Sequence, residues 1–145
     1  MPRLRSMLEG WLAGSSPPPP IARLLEMTLR SCADGVCEMD MQVGEAHHNP
    51  MGTVHGGIFC DLADAAMGSA LASLLEPNET FTTVELAAHY FAAVQHGLLQ
   101  AHAKVLRKGR TTAYVECEIR EGAERLVGKF SSTCLIRRMA QASEA

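Results

Sequence analysis

The sequence has 145 residues, 47% of them hydrophobic, and a formal net charge of −3 from 13 basic and 16 acidic side chains. A chain of this length fits one compact domain, which buries roughly 70% of the surface its unfolded form exposes, and argues against a second. The basic residues are scattered apart from a short cluster at 107–110, so the charged footprint of a nucleic-acid binder is missing.

Five cysteines, Cys32, Cys37, Cys60, Cys117 and Cys134, give an odd count without a C-x-x-C pair. That pattern argues against a disulfide framework and a zinc ribbon, and reads as small buried hydrophobes in a reduced, cytoplasmic protein. The N-terminus begins basic, but Glu9 and Gly10 interrupt its apolar part before it reaches the length of a signal-peptide core. The run "GSSPPPP" at 14–20 favours an extended spacer, which makes residues 1–20 an arm tethered to a domain at 21–145. Ile21, Leu24, Leu25, Thr28 and Leu29 then fall at helical spacing and predict a short amphipathic helix.

At "GVCEMDMQV" the period changes to two, with Cys37, Met39, Met41 and Val43 on one side of a half-buried strand and Glu38, Asp40 and Gln42 on the other. A single helix, about Gly57 to Leu75, follows; it is apolar on nearly every face except for two aspartates and two serines, and so reads as buried. Its two carboxylates and strand-rich context argue against a membrane span. Four alternating segments come next, at about 80–94, 98–107, 111–120 and 124–137, with turns at "QHG", "KGR" and "REGAE" short enough for antiparallel hairpins. They predict a four-strand meander, and the whole chain an α+β fold in which one antiparallel sheet curls around a central helix.

Polar residues gather where that helix begins, in "NPMGTVHGGIFCDLADAAMG". A helix starting at "HGG" aims unpaired N–H groups at whatever precedes it, and the glycines leave no side chain in the way. Such a donor can hold an anion or polarise a carbonyl oxygen. Asp61 and Asp64, three residues apart within the first two turns, either complement the helix dipole or supply an acid or base. His55 fits a helix cap as well as a site residue, and Asn49 fits a turn former, since Asn-Pro starts turns. His47, His48 and His55 lack metal-ligand spacing, and neither a Gly-x-Ser-x-Gly elbow nor a recognisable cysteine nucleophile motif occurs. The "RKGR" turn is either a solvated basic loop or a phosphate contact.

Taken together, "HNPMGTVHGG" with Asp64 nine residues after His55, then "TTVELAAHYFAAV" and "VLRKGRTTAYVECEI", resemble the hotdog-fold acyl-CoA thioesterases, in the branch of the phenylacetate-pathway enzymes. The resemblance covers about residues 35–137. It implies a curved sheet of five or six strands around one long helix, protomers paired edge to edge, active sites at the dimer interface, and dimers that often form tetramers. By position it makes Asp64 the general base or nucleophile and the Gly56 N–H the carbonyl donor from the other protomer. Asn49 and His55 would orient substrate and water, and Thr83 would hold the water beside the carboxylate. Arg107, Lys108, Gly109, Arg110 and Thr111 would line the coenzyme A path, with Met41, Met51 and Met67 available to line an adaptable acyl pocket.

The resemblance implies a thioester hydrolase without a metal or other cofactor, coenzyme A entering only as part of the substrate. A noncatalytic acyl-CoA-binding module and a hotdog dehydratase or hydratase are the competing readings. The turn "VQHG" lacks the proline common in the family after that strand, and the N-terminal arm lies outside the match.

Overall fold

The computed structural model describes residues 4–140. In chain order the elements are α1 (Leu4–Ala13), α2 (Pro20–Leu24), β1 (Met27–Ala33), β2 (Val36–Val43), a 3-10 turn (Glu45–His47), α3 (Gly56–Ala72), β3 (Glu79–Tyr90), β4 (Gly97–Lys108), β5 (Thr112–Glu121) and β6 (Arg125–Arg138). The strands form one antiparallel sheet in the order β1-β2-β4-β5-β6-β3. Helix α3 touches all six, which a flat sheet would not allow. This is the curled sheet around one helix that the sequence predicts.

The alternating strands bury the expected side chains. Cys37, Met39, Met41 and Val43 of β2 and Ala113, Val115, Cys117 and Ile119 of β5 all face α3. Inner residues of β2 and β4 pair in register, Met41 with Leu99, Met39 with Ala101 and Cys37 with Ala103. On α3 the buried face is built from Phe59, Leu62, Ala63, Ala66, Met67, Ala70, Leu71 and Ala72. Small side chains let β3 lie close: a Cβ on Gly68 would sit 3.2 Å from the Phe81 ring. At the far end Ser73 ties the helix to the β1–β2 turn, its hydroxyl donating to the Ala70 carbonyl and accepting from the Gly35 N–H.

Three expectations are corrected. The amphipathic helix over residues 21–29 is only α2; Glu26 adopts φ 54 and ends it, and Met27–Ala33 form a strand. Asp34 and Gly35, at φ 52 and 79, make the two-residue turn with both φ positive that suits a tight hairpin onto β2. Ile21 and Leu24 consequently point outward while Met27 and Cys32 are buried.

The four-strand meander is also corrected. Strands β4, β5 and β6 form one, but β3 lies at the far edge beside β6, and residues 91–96 cross to β4 rather than turning a hairpin. The apolar inner row of β2 takes β4, which alternates over residues 98–105, as neighbour, whereas β3, half exposed along its length, fits an edge. Lastly, Asp40 lies on the outer face as expected but is buried there. Arg30, the extra residue at a bulge in β1, covers it and donates to its carboxylate at 2.7 Å.

The segment expected as an arm carries α1, which packs on β1 and α3 through Leu8, Leu4 and Trp11. Met1–Arg3 lie outside the described residues. Among the described residues no helix is long and apolar enough to cross a membrane.

Candidate active site

The loop before α3 is held by its own polar groups. Asn49 organises it: the side-chain oxygen accepts from the N–H groups of Met51 and Thr53 at 3.0 and 3.2 Å, and the amide donates to the Thr53 hydroxyl at 3.0 Å. His48 reaches the Gln95 carbonyl at 2.6 Å and Val54 donates to the Val94 carbonyl at 2.8 Å, which fastens the loop to the 91–96 crossing. His55 is the helix cap, its Nδ1 accepting from the Gly57 N–H at 2.9 Å. The Gly56 N–H has no acceptor among the described residues.

Asp64 sits two turns further along. Gly56, Cys60 and Asp64 follow one another at a spacing of four and therefore form one stripe of α3, which faces β3. The strand runs antiparallel to that stripe: Tyr90 donates to the Gly56 carbonyl at 2.7 Å, and Thr83 donates to Asp64 Oδ1 at 3.3 Å. Asp64 reaches solvent in the single chain. The atoms of α3 and β3 around it still desolvate it and raise its pKa; Thr83 pulls the other way, and the like charge of Asp61 adds to the rise. Asp61 is exposed.

The elements bring Asp64 and Thr83 together, and Asn49, His55 and Gly56 together, but hold the two groups apart. Eight residues of helix separate Gly56 from Asp64, about 12 Å at roughly 1.5 Å per residue, too far for both to meet one carbonyl. The "RKGRTT" hairpin lies toward the opposite end of α3 from Gly56, where Lys108 meets Glu79 at the start of β3. Gly109 donates to the Thr112 carbonyl at 2.8 Å, and a Cβ there would be 3.2 Å from that oxygen, so the turn is tight. Arg107, Arg110 and Thr111 are exposed. Lys108 instead has an internal partner, its ammonium 3.0 Å from the buried Glu79 carboxylate, which Arg138 also approaches at 3.4 Å. A cavity of about 270 Å³ lined by Glu38, Asp40 and His102 lies on the outer face of the sheet, away from all of these residues.

Residues 51–127 match the thioesterase superfamily. The chain belongs to the thioesterase superfamily. Its relatives include a 1,4-dihydroxy-2-naphthoyl-CoA hydrolase from Listeria monocytogenes, 32% identical over 67% of this chain and 79% of the relative. Another is human acyl-coenzyme A thioesterase 13, 31% identical over 65% of this chain and 67% of the relative. Among solved structures, a phenylacetic acid degradation-related protein from Ralstonia eutropha is 28% identical, with a TM-score of 0.81, covering 89% of this chain and 98% of that one. The thioesterase thus has the hotdog fold that its motifs imply, and it is a hydrolase by family.

Two residues at this stripe, Cys60 on α3 and Tyr90 facing it from β3, are not singled out as site residues by the sequence reading. Tyr90 contacts both Gly56 and Cys60, and Cys60 stands midway between Gly56 and Asp64. The spacing of four on either side of Cys60 is visible in the sequence; the contact with Tyr90, 30 residues away, is not.

Proposed function

We propose that the protein hydrolyses acyl-CoA thioesters in a homodimer. The observation that carries this reading is a hydrogen-bonded Asp64–Thr83 pair and an uncommitted Gly56 N–H at two points along one helical stripe, beside the outer edge of β3, which has no strand partner among the described residues. If two β3 edges pair antiparallel about an axis between Leu86 and Ala87, the Thr83 end of each strand comes beside the Tyr90 end of its mate. Asp64 of one helix then approaches Gly56 of the partner subunit, and the separation seen within one chain is bridged.

In that arrangement the Gly56 N–H polarises the thioester carbonyl. The Asp64 carboxylate either removes a proton from the water held with Thr83 or attacks directly. In the first case the water oxygen bonds the carbonyl carbon and coenzyme A leaves as a thiol with that proton; in the second the thiolate departs, and the mixed anhydride formed on Asp64 is hydrolysed by water to the free acid. A thioester is activated enough for one carboxylate and one donor to suffice, so the reaction calls for no metal or other cofactor. Asn49 shapes the turn that leads to His55, and His55 fixes the first turn of the helix. A cytoplasmic location and assembly of dimers into tetramers accompany this reading.

A panel of short, long and aromatic acyl-CoA esters with free-thiol detection tests it. Thiol release well above the Asp64→Ala background on at least one ester is expected; none on any of them would move the reading to a binding module. The two exposed arginines of the β4–β5 turn are assigned to the phosphates. Arg107→Ala and Arg110→Ala should each raise KM for the preferred ester by about 5–10-fold, most strongly at low salt, with kcat retained. N-acetylcysteamine thioesters, which lack the nucleotide, should be hydrolysed equally by all three proteins.

A further inference from the structure

The head of α3 carries a continuous chain of hydrogen bonds. Cys60 Sγ lies 3.2 Å from Tyr90 Oη, Tyr90 Oη lies 2.7 Å from the Gly56 carbonyl, and the Gly57 N–H of the same peptide lies 2.9 Å from His55 Nδ1. The direction of each bond follows from what each group can do. A carbonyl only accepts, so Tyr90 commits its proton to Gly56 and its oxygen accepts the Cys60 S–H. An amide N–H only donates, so His55 Nδ1 accepts, and the neutral imidazole carries its proton on Nε2.

The tyrosine is built to stay in place. Its ring packs edge-on against Phe59 and Phe130, with centroids 5.7 and 5.8 Å away. Burial, reinforced by the Cys60 contact, pushes the phenol up to about 12, so it remains a donor at any working pH. A Cβ on Gly56 would fall 3.1 Å from Tyr90 Oη, so a side chain there would press on the hydroxyl and push it from its place.

We propose that Tyr90 is a positioning residue: through the Gly56–Gly57 peptide it holds His55 as an Nε2–H donor at the same helix start that offers the Gly56 N–H. A donor that polarises one end of a peptide strengthens the N–H at the other, so the chain is worth more intact than its separate bonds. The thioester would then meet two N–H groups of fixed orientation, and an imidazole that acts as donor rather than base. The kinetic part of this inference rests on the hydrolase reading above; the tautomer does not.

Tyr90→Phe keeps the ring between Phe59 and Phe130 and removes only the hydroxyl. In the full-length wild-type protein, nitrogen-15 NMR should show His55 as the Nε2–H tautomer. In Tyr90→Phe that signature should give way to a mixture, with the Gly57 amide proton moving upfield. With the preferred acyl-CoA ester, kcat should fall about tenfold while KM stays within about twofold. A wild-type His55 signature in Tyr90→Phe overturns the inference, whether or not kcat changes, and so does an altered signature with wild-type kcat. If the wild-type protein releases no thiol from any ester, the hydrolase reading falls, and the NMR comparison alone decides whether Tyr90 sets the tautomer.

Discussion

Asp64→Asn is expected to lower kcat by about 10²–10⁴-fold and, at neutral pH, to raise the melting temperature. The amide keeps the size of the carboxylate and an oxygen for Thr83 to donate to, but it can neither take a proton nor attack. The stability gain follows from the direction of the pKa shift. Desolvation raises the Asp64 pKa in the folded chain above its ordinary 3.8, with Asp61 adding and Thr83 opposing. Between the ordinary and the raised value the folded chain therefore binds more protons than the unfolded one, and stability declines as pH rises through that window. Above it the ionised carboxylate is a standing cost that asparagine removes; below 3.8 the two proteins should melt alike. Turnover should have an acid limb above 3.8, because a carboxylate acting as base or nucleophile must be ionised, and Asp61→Asn should move that limb to lower pH. Wild-type turnover in Asp64→Asn would remove Asp64 from the mechanism.

Lys108→Met is expected to destabilise the fold by about 3 kcal/mol, read as a lower urea midpoint at unchanged m-value, or as a fall in melting temperature of roughly 6–12 °C. The Glu79 side chain is only 1% exposed and is held by three donors: the Glu76 N–H at 2.9 Å, Lys108 at 3.0 Å and Arg138 at 3.4 Å. Breaking a buried pair from one side leaves a charge without its partner, which costs about 3–5 kcal/mol. The lower end applies because Arg138 stays and Lys108 is itself partly exposed. Glu79→Gln added to Lys108→Met should recover most of the loss, since no unpaired buried charge then remains. Burial by itself would raise the Glu79 carboxyl, but the Glu76 N–H, Lys108 and Arg138 outweigh it and hold it below its ordinary 4.5. Its contribution is therefore fully present above 4.5 and is lost as pH falls through the depressed value. The same clamp fixes the turn that carries Arg107 and Arg110, so Lys108→Met should also raise KM for coenzyme A esters.

Much of this architecture is legible in the sequence because it is written locally. The alternation in "VCEMDMQV" and "AYVECEIR" assigns inner and outer faces residue by residue, and the all-round apolar run after "HGG" identifies the central helix. The failures come where a local pattern satisfies two structures or where the deciding contact is remote. Leu24, Leu25, Thr28 and Leu29 fit a helix as well as anything; the left-handed Glu26 and the tight Asp34–Gly35 turn make the second half a strand. Strand order is not a local property either, and nothing in "FAAVQHG" announces that β3 pairs with β6 rather than β4. At the candidate site, it is the resemblance that points to Asp64, Gly56 and Thr83, and the fold joins Thr83 to Asp64. The Tyr90–Gly56 and Lys108–Glu79 contacts join residues 34 and 29 apart, and only the folded chain brings them together.

The exposed rim of β3 has a bulge. Thr83 is opposite Cys134 and Glu85 opposite Thr133, so Val84 is the surplus residue, and its side chain is 61% exposed. A flat ladder of free amides and carbonyls accepts almost any extended peptide, which makes open rims dangerous in a crowded cell. A kinked one does not, because a straight strand laid along it loses register at Val84. In the end-for-end pairing about Leu86 and Ala87 the two bulges fall on opposite sides of the axis and leave four regular residues, 85–88, between them, so the irregularity that spoils a long ladder for strangers leaves a short one usable by kin.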